Sequence, residues 1–549
     1  MKFLLLLLSL LSFVAFSFAQ EQRPLEIPYV ADLHCHSSLK PFRQEAHTSI
    51  FDGVGCSGDC FNRKRLPLLM KAKNFPIGSQ ASFSQCQQGK NKVVFLSMHI
   101  PEVQMMDIRN IWDFFTSDNR MENFWTRITG FHKDFIRYQL MMYDENEPIN
   151  YFKELEREYA YLLTQEQHDT GGKFVIARNY QHMKEVLENE PGTIIGIMNL
   201  EGMHNLINYQ RQKDFWLDSK ALNDPTNPEY IKYHKMLEEN IKKVKSWGGG
   251  EHAPVYATMT HSFWNMVAGQ APVVPKTVRA LGLKQRPGLH EGFTELGRSV
   301  LEMLLSKENG RRVLPDVKHL SREARKEYYS IWESYRAKGD TFPIIFSHAA
   351  VSGIKHLDKK DKEEELVAMD KLHKPYHGYF NRTPLNLCDE DIWNIFRSRG
   401  IIGMMMDEKR LLGRRSKTDI NKVKKAGDEK ALQMEYMKAW MAHVFYIIEQ
   451  CQSKEAWSMI CIGSDFDGVI DSMKAFPNAE SFPEMAEVMV EFLRSHENLA
   501  VGLDRKKIEK LMYGYEPEEL VEMVMYKNID RFLEKNFAPD KSLVESLSN

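Results

Sequence analysis

Short apolar runs that stop at a polar residue recur along the chain. They have the length of β-strands, are rich in Val, Ile and Met, and lack the alternation of a half-exposed strand. Such runs are expected where both faces of a parallel strand are buried. The eight runs are "IPYVADLH", "KVVFLSMH", "TIIGIMNLEG", "PVYATMTH", "RVLPDVKH", "FPIIFSH", "GIIGMMMD" and "MICIGSDFDG". Helical patterns such as "EDIWNIFRSRG" lie between them, and this alternation predicts an α/β fold, a (β/α)8 TIM barrel.

The chain is longer than a plain barrel requires. A barrel of this kind takes about 250 residues, whereas the chain has 549, so we predict long loop insertions. Several of them follow a strand directly, on the side of the barrel where sites are built. No repeat or low-complexity linker divides the sequence, and residues 20–549 are expected to form a single barrel. The insertions are expected at 39–91, 102–174, 207–251, 271–290, 354–384 and 409–456.

The first residues, "MKFLLLLLSLLSFVAFSFAQ", have the pattern of a secretory signal. Lys2 supplies the positive start, residues 4–16 the apolar centre, and residues 17–19 a small-x-small cleavage site. We therefore expect a cleaved signal peptide at 1–19 and a secreted or periplasmic protein. An uncleaved anchor is the alternative, but the apolar run is short for a span of about 20 residues. No later run is long and charge-free enough to be a transmembrane segment.

The composition changes this picture little. The sequence is 43% hydrophobic and 27% charged, with a formal net charge of −2. Because phosphate binding needs a basic surface, we expect no nucleic acid among the partners. A small-molecule substrate is expected instead, and a homodimer is one option for the assembly.

Seven cysteines are too few for a disulfide scaffold in a chain of this length. Cys56 and Cys60, in "GVGCSGDCF", are predicted to close a small disulfide ring, with Cys86 as a competing partner for either. A zinc knuckle would need a second pair at similar spacing, and the sequence has none. Cys35, between two histidines, is expected to be packed rather than reactive.

Polar residues end the predicted strands. Since the carboxyl ends of barrel strands meet on one rim, these side chains are expected to converge there. Imidazole and carboxylate groups without thiolates suit Zn²⁺, with Mn²⁺ or Fe²⁺ as alternatives. The residues are His34, His36, His99, Glu201, His261, His319, His348, Asp407 and Asp465.

The order of these residues predicts a site for two ions at the C-terminal face of the barrel. His34 and His36 are two apart on a strand, so their side chains project to the same side and can bind one ion. Glu201 has two carboxylate oxygens with which to bridge two ions. His319 and His348, from successive strands, can complete the second.

Two aspartates in "SDFDG" compete for the role of proton acceptor. Asp465 begins the motif at the end of the last strand, whereas Asp467 lies further into the loop. We favour Asp465 on this position.

Seven segments together resemble the membrane (renal) dipeptidases, peptidase family M19 of the amidohydrolase superfamily. They are "DLHCH", "LEGMHNL", "TMTHSFWN", "GFTELGRSVLEML", "DVKHLS", "IIFSHAA" and "IGSDFDG". The resemblance runs from about residue 31 to 532, interrupted by the insertions; "GSDFDG" after the last strand is its most specific part.

The resemblance implies two Zn²⁺ ions bridged by Glu201 and a hydroxide. His34 and His36 would hold the first ion, and His319 and His348 the second.

The resemblance also implies the catalytic residues. The family's histidine that polarises the substrate carbonyl matches His261, which therefore also binds substrate, and its acid/base aspartate matches Asp465. His99 and Asp407 have no counterpart in the family's machinery, and we expect them to be structural or to support the ligands.

Two positions depart from the family pattern. Animal members have His-x-Asp where this chain has His34-x-His36, which removes a negative charge but keeps a ligand. The family's arginine that receives the substrate carboxylate is replaced by Leu385, ahead of Asn386. Arg382, three residues earlier, is our candidate substitute for substrate binding.

These patterns predict an exported zinc-dependent dipeptidase acting on small dipeptide-like substrates. One alternative is a hydrolase of the same superfamily that cleaves another bond, in an N-acyl amide, a lactone or a phosphoester. The replaced arginine favours it. The other is a non-catalytic exported binding protein, which would have no need of the proton acceptor Asp465.

Overall fold

The computed structural model describes most of the chain. The described residues are 23–44, 48–54, 78–106, 122, 125–126, 129–144, 148–167, 172–210, 212–274, 285–358, 376, 378–495 and 503–539. The predicted signal peptide at 1–19 lies outside them, as do Cys56 and Cys60. Cys86, their predicted competitor, is a buried thiol 3.7 Å from the carbonyl oxygen of Ala81.

All eight predicted barrel strands form, and they close into a TIM barrel. Each strand pairs in parallel with its two neighbours, and the pairing of the second strand with the third closes the ring. Full burial of β1 and β5 on both faces explains why their sequences do not alternate. The barrel strands are β1 Val30–Cys35, β2 Asn91–Met98, β5 Ile194–Glu201, β7 Tyr256–Thr258, β8 Leu314–Asp316, β9 Ile345–Ala349, β10 Ile401–Met404 and β11 Ile460–Ile462.

Three short strands lie outside the ring. β4 (Phe174–Ile176) pairs in parallel with the first half of β5, beside the barrel. The sequence analysis placed residue 174 at the end of an insertion and predicted no strand here, because three residues are too few to show a period. β3 (Ile149–Asn150) and β6 (Asn208–Tyr209) form a small antiparallel pair.

Helices connect the strands and pack around the barrel. Helix α8 shows how the sequence specifies one of them: the Thr294 hydroxyl accepts the Gly297 N–H at 2.9 Å at its start, and Leu296, Val300 and Leu304 form its buried face. The α-helices are α1 Leu39–Phe42, α2 Phe83–Gln88, α3 Lys133–Asp144, α4 Tyr151–Glu166, α5 Tyr180–Asn189, α6 Ser219–Leu222, α7 Pro228–Lys245, α8 Glu295–Leu305, α9 Arg322–Ala337, α10 Asp389–Arg397, α11 Glu408–Leu411, α12 Arg414–Ala426, α13 Glu429–Cys451, α14 Phe482–Arg494, α15 Arg505–Met512, α16 Pro517–Glu522 and α17 Asn528–Asn536. Shorter 3-10 turns span Val103–Met106, Met203–Leu206, Gln212–Trp216, Trp247–Gly250, Lys454–Met459 and Ala479–Ser481, and a π turn spans Met523–Lys527.

Apolar residues from segments that follow the barrel strands form a second cluster of their own, apart from the main core. The cluster joins loops that follow β1, β2 and β7, and thus lies on the C-terminal side of the barrel. Its buried members are Leu39, Trp125, Phe131, Ile136, Leu140 and Phe263. Among the described helices, none is both long and apolar enough to cross a bilayer.

A buried ion pair fixes the segment between β9 and α10. Asp391 is fully buried and accepts from Arg325 Nη1 at 2.6 Å, from the Tyr329 hydroxyl at 2.7 Å and from the Cys388 N–H at 2.8 Å. Arg325 also donates to the Pro384 carbonyl at 2.7 Å. The pair thus attaches residues 384–388 to helix α9.

Replacing Asp391 with Ala should lower the free energy of unfolding by about 3–5 kcal/mol, because the Arg325 guanidinium stays buried without its counter-ion. Urea denaturation measures this. Asp358→Ala is the control, since it breaks an exposed ion pair with Lys326 on the same helix and should change the unfolding midpoint little. Equal midpoints for the two variants would contradict the prediction.

Candidate metal centre

The predicted ligand residues meet at the C-terminal rim of the barrel. His34 lies in β1, Glu201 is the last residue of β5, and His348 lies in β9. His36 and His319 follow the ends of β1 and β8 within three residues. All five side chains are buried. The parallel strands bring them together because each carboxyl end points to this rim.

Two histidine pairs share the carboxylate of Glu201. His34 Nε2 and His36 Nε2 are 3.2 Å apart, and each is 3.3 Å from one Glu201 oxygen. On the other side, His319 Nε2 and His348 Nε2 are also 3.2 Å apart, at 3.3 and 3.7 Å from Glu201 Oε1. Two three-residue groups that could each hold an ion therefore have Glu201 in common.

The spacing of these nitrogens fits zinc. Two nitrogens at about 2.0–2.1 Å from one tetrahedral Zn²⁺ lie about 3.4 Å apart, close to the 3.2 Å between the nitrogens of each pair. Burial holds the pKa of His319 and that of His348 well below their usual values, so both are neutral, as ligands must be. Although burial raises the pKa of Glu201, the imidazoles of His261, His34 and His36 hold it well below its usual value, so the carboxylate is ionised.

Hydrogen bonds behind His34 determine which of its nitrogens faces the site. The Tyr256 hydroxyl donates its hydrogen to the Leu33 carbonyl at 2.7 Å. It must therefore accept a hydrogen bond from His34 Nδ1, which lies 3.0 Å away. His34 Nδ1 therefore carries a hydrogen, and Nε2 is the nitrogen that faces Glu201.

Asp316 acts in the same way on His348. The Ser347 hydroxyl donates to Asp316 Oδ2 at 2.6 Å and accepts from His348 Nδ1 at 3.0 Å. The Thr258 hydroxyl also donates to Asp316, at 2.7 Å. His348 thus presents its Nε2 lone pair as well.

Replacing Tyr256 with Phe should weaken metal binding about 10- to 100-fold, because His34 loses the acceptor that fixes its ring and hydrogen. Competition with a chromogenic chelator measures the affinity. Phe keeps the stacking on Phe95, whose ring centroid is 5.9 Å away. Tyr328→Phe is the matched control, since its buried hydroxyl has no hydrogen bond within the described residues. An unchanged affinity in Tyr256→Phe would contradict this account of His34.

Asp465 is the aspartate of "SDFDG" that joins the histidines. Its Oδ1 lies 3.5 Å from His36 Nε2 and 3.9 Å from His34 Nε2. Its side chain is 12% exposed, against 0–7% for the five ligand candidates. The motif's glycine is required here, because a Cβ on Gly468 would lie 2.2 Å from Asp465 Oδ1.

Asp467 has a different environment. Its carboxylate accepts the N–H groups of Gln80 and Ala81 at 2.9 and 3.0 Å, and Lys40 Nζ lies 2.8 Å away. Asp467 therefore attaches the loop after β11 to the segment that precedes α2. This leaves Asp465 as the aspartate available for chemistry.

His261 lies beside the same carboxylate, with its Nε2 3.8 Å from Glu201 Oε2. Its Nδ1 donates to Glu102 Oε2 at 2.6 Å. Burial lowers the pKa of His261, but the carboxylates of Glu102 and Glu201 outweigh burial and raise it to about 9. The sequence analysis missed Glu102; its only signal was a carboxylate three residues after the strand-end residue His99.

The remaining strand-end residues support the structure around the ligands. His99 Nδ1 donates to the Glu201 carbonyl at 3.1 Å, and its ring lies 4.2 Å from that of His261. Asp407 caps helix α11 by accepting the Lys409 N–H at 3.0 Å.

Arg382, the candidate for binding a substrate carboxylate, is half-buried and forms no ion pair within the described residues. Its segment packs on helix α11, which follows β10: Asn386 donates to the Arg410 carbonyl at 2.9 Å. Leu385, in the place of the family's arginine, is buried. Binding of substrate by Arg382 stays a prediction.

A buried lysine escaped the sequence analysis. Lys318 directly precedes His319 and is fully buried, and burial lowers the pKa of its ammonium group to about 7. Its Nζ lies 5.6 Å from the centroid of the Phe346 ring. A single lysine in the short segment between the end of β8 and His319 forms no sequence pattern from which its burial could be predicted.

Comparison of the sequence with protein-family models and with curated proteins finds no match. Solved structures of similar fold do occur. A metallopeptidase from Rhodobacter sphaeroides, liganded with a phosphinate mimic of the dipeptide L-Ala-D-Ala, has 13% identity and a TM-score of 0.47 over 92% of this chain and 99% of its own. The dipeptidase AC, described as a metallopeptidase of family M19, has 13% identity and a TM-score of 0.45 over 93% and 98%.

A third similar structure is the probable dipeptidase PvdM from Pseudomonas aeruginosa. It has 12% identity and a TM-score of 0.44 over 84% of this chain and 90% of its own.

Proposed function

We propose that the protein is a metal-dependent hydrolase that cleaves the peptide bond of dipeptides, with two zinc ions as cofactors. The observation that carries the proposal is the sharing of the Glu201 carboxylate by two histidine pairs, since a site for a single ion needs only one of them. His34 and His36 would hold one ion and His319 and His348 the other. When bound, zinc supplies Lewis-acid polarisation of a carbonyl oxygen and acidification of water.

Two side chains of the protein carry the remaining steps. Asp465, which is more exposed than the five ligand candidates, accepts a proton from the attacking water and delivers it to the leaving amine. His261 donates a hydrogen bond from Nε2 to the carbonyl oxygen on which negative charge develops. Both groups lie within 4 Å of a ligand candidate.

Export is part of the same proposal. The segment 1–19 has the charge, apolar centre and cleavage pattern of a secretory signal. The proposed substrates are therefore dipeptides outside the cytoplasm.

Metal analysis followed by a dipeptide assay tests the proposal. The panel should include dipeptides with a D-residue at the C-terminal side, N-acyl amides, lactones and phosphoesters, each with and without chelator. Two zinc ions per chain and dipeptide cleavage that stops with chelator and returns with zinc would support it. Two bound ions with cleavage of another panel member would favour a hydrolase of another bond. The buried Leu385, where the resembled family has its substrate-binding arginine, supports this alternative. A purified protein that binds no metal would favour a binding protein.

A further inference from the structure

Glu102 connects two loops at the rim of the barrel. It follows β2 by four residues, whereas His261 follows β7 by three, and β5 with Glu201 lies between those strands. The carboxylate accepts His261 Nδ1 at 2.6 Å and the N–H groups of Ser262 and Phe263 at 3.3 and 2.9 Å. Glu102 is 2% exposed. One buried side chain therefore fixes both the ring of His261 and the backbone that follows it.

These contacts determine which edge of the His261 ring faces Glu201 and the other ligand candidates. Because Glu102 engages Nδ1, Nε2 is the nitrogen that points to Glu201. The ring packs between those of His99 and His319, with centroids 4.2 and 4.6 Å away. A flipped ring would lose the bond to Glu102.

The two carboxylate oxygens of Glu102 divide these contacts between them. Oε2 accepts from His261 Nδ1 and from the Ser262 N–H, whereas Oε1 accepts from the Phe263 N–H. An amide in place of the carboxylate would offer these N–H groups only one acceptor oxygen.

We propose that Glu102 is a positioning residue that acts through His261, holding the imidazole with its Nε2 toward Glu201, where a substrate carbonyl would meet it. The kinetic consequence of this inference rests on the proposed hydrolytic function, whereas the contact between Glu102 and His261 does not. It is independent of the family resemblance, since the motifs that carry the resemblance do not include Glu102.

The first test is Glu102→Gln, which preserves side-chain volume but leaves one acceptor oxygen for three N–H groups. We expect zinc content and KM close to wild type and a kcat about 10²- to 10³-fold lower, because a displaced His261 loses an interaction made in the transition state. Glu102→Asp, which keeps both acceptor oxygens on a shorter stem, should recover part of kcat. Glu522→Gln is the matched control: Glu522 is about as buried, but it pairs with Arg23 and Lys527 rather than with His261.

A double-mutant cycle separates positioning from general support of the fold. If Glu102 acts through His261, adding Glu102→Gln to His261→Ala should cause no further loss of kcat. If the two losses multiply, the proposal is overturned.

Proton NMR supplies a readout that does not depend on turnover. The Nδ1 proton shared with a carboxylate should give a resonance far downfield in the wild type, lost in both Glu102→Gln and His261→Ala. If the wild type cleaves no substrate but shows this resonance, the proposed function fails and the Glu102–His261 pairing stands. Absence of the resonance from the wild type would overturn the pairing.

Discussion

Replacing Asp465 with Asn should lower kcat by about 10²- to 10⁴-fold while leaving zinc binding close to that of the wild type. The amide cannot accept the proton from the attacking water or return it to the leaving amine. Metal binding should survive because the two histidine pairs and Glu201 remain. Single-turnover kinetics and zinc analysis of the same preparation measure both quantities.

Asp471→Asn is the control for this prediction. Asp471 lies six residues further along the same loop, and its side chain is 14% exposed, against 12% for Asp465. It pairs with Lys409 and Lys474 rather than with the histidines, so its replacement should leave kcat unchanged. Near-normal turnover in Asp465→Asn would show that another group transfers the proton.

Replacing Glu201 with Gln should abolish the binding of two ions. Its carboxylate is the group that both histidine pairs approach, at 3.3 Å from three of the four nitrogens and 3.7 Å from the fourth. We expect at least an approximately 100-fold weaker zinc affinity and no detectable hydrolysis. Zinc per chain, measured after dialysis against buffered zinc, tests this directly.

Thermal unfolding gives a second measure of the same variant. A ligand present at 100 times its Kd stabilises the folded protein by about 2.7 kcal/mol, so chelator should lower the Tm of the wild type. The Tm of Glu201→Gln should equal that of the chelated wild type and should not respond to chelator. Glu518→Gln, a buried glutamate paired with Arg494, should keep the wild-type response. Two tightly bound ions in Glu201→Gln would rule out the shared carboxylate as a bridging ligand.

The barrel and the ligand candidates were predictable because both depend on local pattern plus one general property of the fold. Runs such as "IPYVADLH" show that a strand is buried on both faces and where it ends. Once eight such strands are parallel, their last polar residues must meet on one rim. His34, Glu201 and His348 could therefore be grouped before any contact was known.

Other features depend on contacts between distant segments and have no local signal. The bond between Glu102 and His261 joins residues 159 apart, and it exists only because barrel closure brings the loops after β2 and β7 to either side of β5. Position in "SDFDG" favoured Asp465 over Asp467. The physical reason is that the Asp467 carboxylate already accepts the N–H groups of Gln80 and Ala81.

The sequence by itself thus determined the eight-stranded barrel and the residue types gathered at its rim, because each segment shows that its strand is buried and where the strand ends, and in a parallel barrel these ends meet on one rim. The tertiary structure decided which nitrogen each ring presents, through Tyr256 behind His34 and Asp316 behind His348. It also decided which carboxylate supports His261. These orientations depend on contacts between side chains of different strands and loops, and those side chains come within contact distance of one another only when the barrel closes.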